Sequence, residues 1–222
     1  MLFGFVGTLW KHGEVAADSN SPVATPKSPQ SEGSSWSRIV AVAIALVVVT
    51  AITEFVLGRT FFGPDGKFGI WEGSIWSDHC SQRIADPYSF SHIAHGMVFY
   101  AGLWWVGRRL PVPLRFLMAV GLEAGWEVLE NSPIIIERYR QATIALGYEG
   151  DSILNSISDV IMMSLGFLAA WRWRPWITAT VLVAMELGCA LWVRDNLTLN
   201  VIMLIRPIEA IKAWQSAGQP GP

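Results

Sequence analysis

The stretch "IVAVAIALVVVTAITEFVL", residues 39–57, decides the fold. Its length matches the roughly 20 apolar residues that a hydrocarbon core about 30 Å thick demands of a helix. Its one ionisable group, Glu54, falls at the far end. It reads as a transmembrane helix. The rest of the chain supports that reading: 52% of the 222 residues are hydrophobic and only 15% are charged, against about 25% charged in a soluble domain.

Four further apolar stretches have similar length: "FSHIAHGMVFYAGLWWVG" (90–107), "PLRFLMAVGLEAGWEVLEN" (113–131), "SILNSISDVIMMSLGFLAAW" (152–171) and "WITATVLVAMELGCALWV" (176–193). The expected fold is therefore all-α, a polytopic bundle of about five transmembrane helices occupying residues 38–222 as one domain. The last stretch, "LTLNVIMLIRPIEAIKAWQ" (197–215), is broken by Arg206 and Pro207. Proline removes a helical hydrogen bond, so this stretch is expected to lie at the outer interface or to re-enter rather than to span. Within residues 1–37, "LFGFVGTLW" is apolar but too short to span, and "ADSNSPVATPKSPQSEGSSWS" is rich in Ser and Pro with little to bury, so a disordered or weakly ordered tail is expected.

Orientation follows from the basic residues. Lys27 and Arg38 precede the first span, Arg108, Arg109 and Arg115 bracket the second turn, and Arg172 and Arg174 fill the fourth. The positive-inside rule makes these regions cytoplasmic, with the N-terminus inside. Trp104, Trp105, Trp171, Trp173 and Trp176 then form an aromatic belt at the inner interface. Residues 58–89, 132–151 and the C-terminal tail fall outside, although Arg59, Arg83, Arg138 and Arg140 lie there too. The net charge of −2 supplies no basic stripe for nucleic acid. Cys80 and Cys189 show no C-x-x-C spacing, which leaves neither a zinc knuckle nor a redox pair to read. A disulfide between them is the pairing the count allows.

With this orientation the ionisable residues converge. His92 and His95 lie in the outer turns of the second span, Glu127 and Glu130 in the outer turns of the third, and Asp151, Asn155 and Asp159 descend the fourth at i, i+4, i+8. Glu54 closes the first. Ionisable groups inside a bilayer are costly, about 2.5–3.5 kcal/mol each on insertion scales, and mark functional sites. Imidazoles with carboxylates suit a divalent transition metal. The expected metal ligands are His92, His95, Glu127, Asp151 and Asp159; His95, Glu127 and Asp159 are the expected catalytic groups; Arg138 and Arg140 are expected to meet an anionic head group. Without a metal, the same carboxylates would serve proton transfer.

Plainer readings stand beside these. Asp151 after Gly150 has the form of a helix N-cap. Ser132-Pro133 reads as the N-cap and first residue of a short outer helix, "PIIIERYRQAT". His92 is also placed to bond interfacial water. Glu130 could pair with Arg138 or Arg140, and Glu123 and Glu186, mid-membrane, could each be a protonated carboxyl bonded to a neighbour. Gly96, Gly121, Gly125 and Gly166 read as helix-packing contacts. Ser156 and Ser158 lack the setting of a nucleophile.

The segments "SQRIADPYSFSHIAHGMVFY", "WEVLENSPIIIERYRQATIALGYEGDSILNSISDVIMMSLGF" and "RDNLTLNVIMLIRPIEAIKAW" together resemble an uncharacterised (UPF) family of proteobacterial multi-pass inner-membrane proteins. The resemblance runs from about Trp36 to the C-terminus. It implies a location in the bacterial inner membrane and no established activity. A weaker similarity is to VanZ-like membrane proteins, carried by the glutamate-bearing helix and by Asp151, Asn155 and Gly166; Asp159 departs from that pattern. Two functional classes remain open. One is a membrane-embedded, metal-dependent factor or enzyme acting on an envelope lipid or lipid-linked precursor. The other is a non-enzymatic membrane protein: a small transporter, a proton-coupled component or a structural partner of a complex.

Overall fold

The computed structural model describes residues 29–145 and 147–219. Eight helices are present among them: α1 (Pro29–Val56), α2 (Ser89–Gly107), α3 (Val112–Glu130), α4 (Pro133–Ala142), α5 (Ile153–Arg172), α6 (Pro175–Trp192), α7 (Leu197–Ile205) and α8 (Glu209–Ser216). No strand occurs among the described residues; Trp71 and Ala85 form an isolated bridge. Of the expected tail, residues 1–28 lie outside the described residues, and α1 is already helical from Pro29.

Three helices are long and apolar enough to cross a membrane: Trp36–Val56 of α1, α5 and α6. The remaining two expected spans form helices of 19 residues each, but their apolar character is diluted. Helix α3 carries Arg115, Glu123, Glu127 and Glu130, and α2 carries two histidines and two serines. Apolar side chains nonetheless face outward from all five, including Ile44 and Phe55 on α1, Val98 and Val106 on α2, Leu122 and Leu129 on α3, Ile161 and Leu165 on α5, and Leu187 and Leu191 on α6. So much uncovered apolar surface suits lipid rather than water.

Helix α5 is the centre of the bundle, and α2 lies against it with almost no gap. A Cβ on Gly96 would overlap the Met163 carbonyl, and one on Gly166 would overlap the Ile93 carbonyl. Small residues let backbones approach in this way. Gly121 and Gly125, by contrast, have open space where a Cβ would sit, so the packing role expected of all four glycines holds for two. Met97, Tyr100, Phe116, Val120, Met163 and Phe167 fill the core between α2, α3 and α5.

The two ends of the bundle differ. At one, Trp36 lies 5.9 Å from Phe116 and 5.7 Å from Trp171, and Arg172 covers the Trp171 ring at 4.3 Å. This end carries the short, arginine-rich turns. At the other, the long connections fold over the helix ends as a polar cap. Ser152 N–H donates to Ser81 O and Ile153 N–H to Thr60 O, both at 3.0 Å, and the Tyr88 hydroxyl donates to Asp195 Oδ2 at 3.1 Å. The arginines that sat awkwardly with the charge rule are held within this cap. Arg59 donates to Glu149 O, Arg83 pairs with Asp65 at 2.9 Å, Arg138 donates to Leu204 O at 2.8 Å, and Arg140 donates to Tyr148 O at 2.6 Å.

The C-terminal stretch breaks where the proline requires. Helix α7 ends at Ile205 and α8 begins at Glu209. The N-terminus of α7 is capped twice: Asn196 Oδ1 accepts from Leu199 N–H at 2.8 Å, and Glu186 accepts from Leu197 and Thr198 N–H at 3.1 and 3.0 Å. Glu186 thus serves as an acceptor at a helix N-terminus, where the dipole favours an acidic side chain. Cys80 and Cys189 are free thiols.

Candidate functional site

The polar residues meet beneath the cap, between α2, α3 and α5. Glu123, Glu127 and Glu130 lie on one face of α3 because offsets of four and seven return to the same side of a helix. His92 and His95 lie one turn apart on α2. His92 Nδ1 is 2.6 Å from Glu123 Oε1, and His95 Nδ1 is 3.1 Å from both Glu123 oxygens. Both imidazoles therefore converge on Glu123, which is fully buried. The histidine pair shares this one carboxylate. Sequence reasoning had placed Glu123 among the structural carboxyls; its offset of four from Glu127 was the available signal.

One turn along α3, Glu127 has different surroundings. It too is fully buried, yet neither of its carboxylate oxygens has a hydrogen-bond partner. The imidazole of His92 lies beside it, with Nδ1 3.5 Å from Glu127 Oε1. Asp159 comes in from α5, with Oδ2 3.8 Å from His92 Nε2 and Oδ1 unpartnered. A ligand atom from each of His92, Glu127 and Asp159 lies within 4.8 Å of the others, and the same is true of Glu127, Glu130 and Asp151. A third such group is His92, His95 and Glu123, but its carboxylate is already satisfied by two ring nitrogens.

Asp151 does not cap α5. Ser152 does, its Oγ accepting from Asn155 N–H at 3.2 Å. Asp151 Oδ1 accepts from the Tyr148 hydroxyl at 2.9 Å, and its own N–H donates to Asn131 Oδ1 at 2.7 Å. Burial pushes its carboxyl up to about 6. The polar stripe of α5 thus divides: Asn155 ties the helix to Arg83 O at 2.8 Å, while Asp159 groups with Glu127 and Asp151 with Glu127 and Glu130. Glu130 bonds to Tyr139 rather than to Arg138 or Arg140. Ser132 opens α4 as expected, accepting from Ile135 N–H at 3.5 Å. Ser156 is buried and accepts from Asn131 Nδ2 at 3.2 Å, a packing role. Glu54 is fully buried beside Ser156.

A cavity of about 1310 Å³ opens over these residues. His92, His95, Glu130, Asp151 and Asp159 line it, as do Arg59, Arg140 and Lys212. Arg138 is turned away, toward the last carbonyls of α7.

Residues 54–217 match the family model described as "Protein of unknown function (DUF2585)". The chain is 52% identical to a UPF0314 protein of Sphingopyxis alaskensis over 179 residues, covering 80% of this chain and 94% of that one. It is 46% identical to a UPF0314 protein of Rhizobium etli over 172 residues, covering 78% and 88%. With a UPF0314 protein of Sinorhizobium fredii it shares 41% identity over 194 residues, covering 87% and 98%. No solved structure matches. The chain belongs to this uncharacterised UPF0314/DUF2585 family of proteobacteria; the matches do not carry the VanZ-like similarity.

Proposed function

We propose that this family member is a multi-pass protein of the bacterial inner membrane, with five spans (α1, α2, α3, α5 and α6), a cytoplasmic N-terminus and an outward-facing metal site. The site holds a divalent cation between His92, Glu127 and Asp159, at the floor of the cavity. The observation that carries this reading is the Glu127 carboxylate, fully buried with two unpartnered oxygens. Buried polar groups are almost always paired, and the groups closest to Glu127 are themselves ligand types. His92 is oriented for the task, since Glu123 engages its Nδ1 and leaves Nε2 toward Asp159. This is the carboxylate–histidine–metal arrangement that fixes a ligating ring. One imidazole with two carboxylates suits manganese, iron or zinc.

Three protein ligands leave coordination positions for water and substrate. A cation so held lowers the pKa of a bound water or polarises a substrate oxygen. His95, on the cavity wall and bonded to Glu123, is placed to take or return a proton. Arg140, Arg59 and Lys212 give the cavity its cations, which fit an anionic head group of an envelope lipid or lipid-linked precursor.

Metal content tests the reading. Protein purified in detergent, loaded with Mn²⁺ and dialysed should retain metal by mass spectrometry, and Glu127→Gln should retain none at the His92 position. Glu123→Gln should weaken retention by roughly 10–100-fold, as loss of an outer partner does. A wild-type protein that holds no metal, and whose melting temperature EDTA and Mn²⁺ leave unchanged, would make the cluster a packing device.

A further inference from the structure

The geometry points to a second cation position, formed by Glu127, Glu130 and Asp151, with Glu127 bridging the two ions. This rests on the proposed function and extends it from a mononuclear to a dinuclear centre. The two groups of three, His92/Glu127/Asp159 and Glu127/Glu130/Asp151, each have ligand atoms within 4.8 Å of one another, and they share Glu127. A bridging carboxylate uses one oxygen for each ion. Among the members of the two groups, Glu127 has both oxygens buried and unpartnered, so the shared residue is also the one with two oxygens to give.

The outer members are supported as ligands should be. Tyr148 donates to Asp151 Oδ1, and Asn131 contributes its amide 3.5 Å from Oδ2. Tyr139 bonds to Glu130, and the two phenol rings pack edge to face at 5.1 Å. Such outer partners fix carboxylate orientation. Glu130 and Asp151 also line the cavity, which gives the second ion an entry path. Its ligand set is all oxygen, so it takes a hard cation, Mn²⁺ or Mg²⁺. The mixed set around His92 also accepts Mn²⁺, which makes manganese a metal that suits both positions.

The experiment is Mn²⁺ binding to the full-length protein in detergent, by equilibrium dialysis and electron paramagnetic resonance. Wild type should bind two equivalents with the spectrum of a coupled pair, as ions about 3.5–4 Å apart give. Glu130→Gln and Asp151→Asn should each bind one, with the six-line signal of an isolated ion. Asp159→Asn should also bind one, and Glu127→Gln should lose the coupling entirely. One equivalent in wild type, unchanged in Glu130→Gln, would overturn the second position and leave the first standing. Two equivalents without coupling would overturn the bridge. No binding at all would overturn this inference together with the proposed function. The wild-type spectrum decides the matter even if a variant fails to fold.

Discussion

Gly166→Ala is the perturbation that most directly tests the packing on which the site depends. The added Cβ would overlap the Ile93 carbonyl oxygen and stand 2.9 Å from its carbon, where carbon atoms prefer about 3.5–4.0 Å. The obstacle is backbone on both sides, so no side chain can swing aside. Helices α2 and α5 must separate by about 1 Å. Overpacking of this kind costs about 1–3 kcal/mol. For a chain of this size 1 kcal/mol moves the melting temperature by about 2–4 °C, so a fall of roughly 2–12 °C is expected. Gly121→Ala is the matched control: it too lies in a helix, but a Cβ there meets nothing within 4 Å. Replacing glycine in a helix gains up to about 1 kcal/mol, so this variant should melt at or above wild type. Ile93 adjoins His92, whose 3.8 Å approach to Asp159 spans the same α2–α5 interface. Metal sites tolerate distance errors of about 0.2 Å, so Gly166→Ala should also weaken Mn²⁺ retention while Gly121→Ala should not. Tryptophan fluorescence during heating in detergent measures the first effect, and dialysis the second. If Gly166→Ala melts with Gly121→Ala, the close approach of α2 and α5 does not exist.

Two further outcomes follow from the cap and the topology. Asp195 is buried, accepts from Asn196 N–H, Tyr88 and Gln215, and burial raises its carboxyl to about 6 from 3.8. A raised carboxyl binds its proton more readily folded than unfolded, so its contribution is full below pH 4 and is lost as pH rises through about 6. Two units correspond to about 3 kcal/mol at most; wild type should therefore lose more stability between pH 4.5 and 7.5 than Asp195→Asn, and equal losses would refute the assignment. Reporter fusions after Arg109 and Arg174 should be active in the cytoplasm, and a fusion at Tyr148 should be active outside. An outside signal at Arg109 would turn the cavity toward the cytoplasm.

The helices were legible because their boundaries are chemical. The stretch 90–107 forms the helix Ser89–Gly107, 113–131 forms Val112–Glu130, and 176–193 forms Pro175–Trp192. Each ends at a polar or proline-bearing turn that the sequence displays. Asp and Ser are nearly equivalent N-caps, so the sequence leaves Asp151 open as a cap beside its functional reading, and the fold gives that task to Ser152. The role of Glu186 was not legible: its partners are eleven and twelve residues on, across a chain reversal, and no helical period links them. Arg138 looked free to meet a ligand, but it satisfies the open carbonyls at the end of α7, a common task for arginine there. The convergence of α2, α3 and α5 could be read from orientation. The choice of Glu123 as the acceptor for both histidines could not, since it depends on how far α2 sinks toward α5, which Gly96 and Gly166 set.

The contrast between Glu123 and Glu127 is what separates a site from packing. Both sit on one helix face, a single turn apart, and both are fully buried. Glu123 has two imidazole nitrogens within 3.1 Å, which is how a structural carboxylate is normally accommodated. Glu127 could have been accommodated in the same way by a hydroxyl or an amide at the facing position on α5. The residue that faces it is Asp159, a second carboxylate with an unpartnered oxygen. Two buried carboxylates side by side repel when ionised, and replacing such a pair with apolar residues of the same volume is often neutral or stabilising. Packing of two ionised carboxylates gives no reason for this pair, beside a histidine already engaged by Glu123 and under a cavity lined with cations. The proposed cation would supply one, by converting the repulsion into coordination.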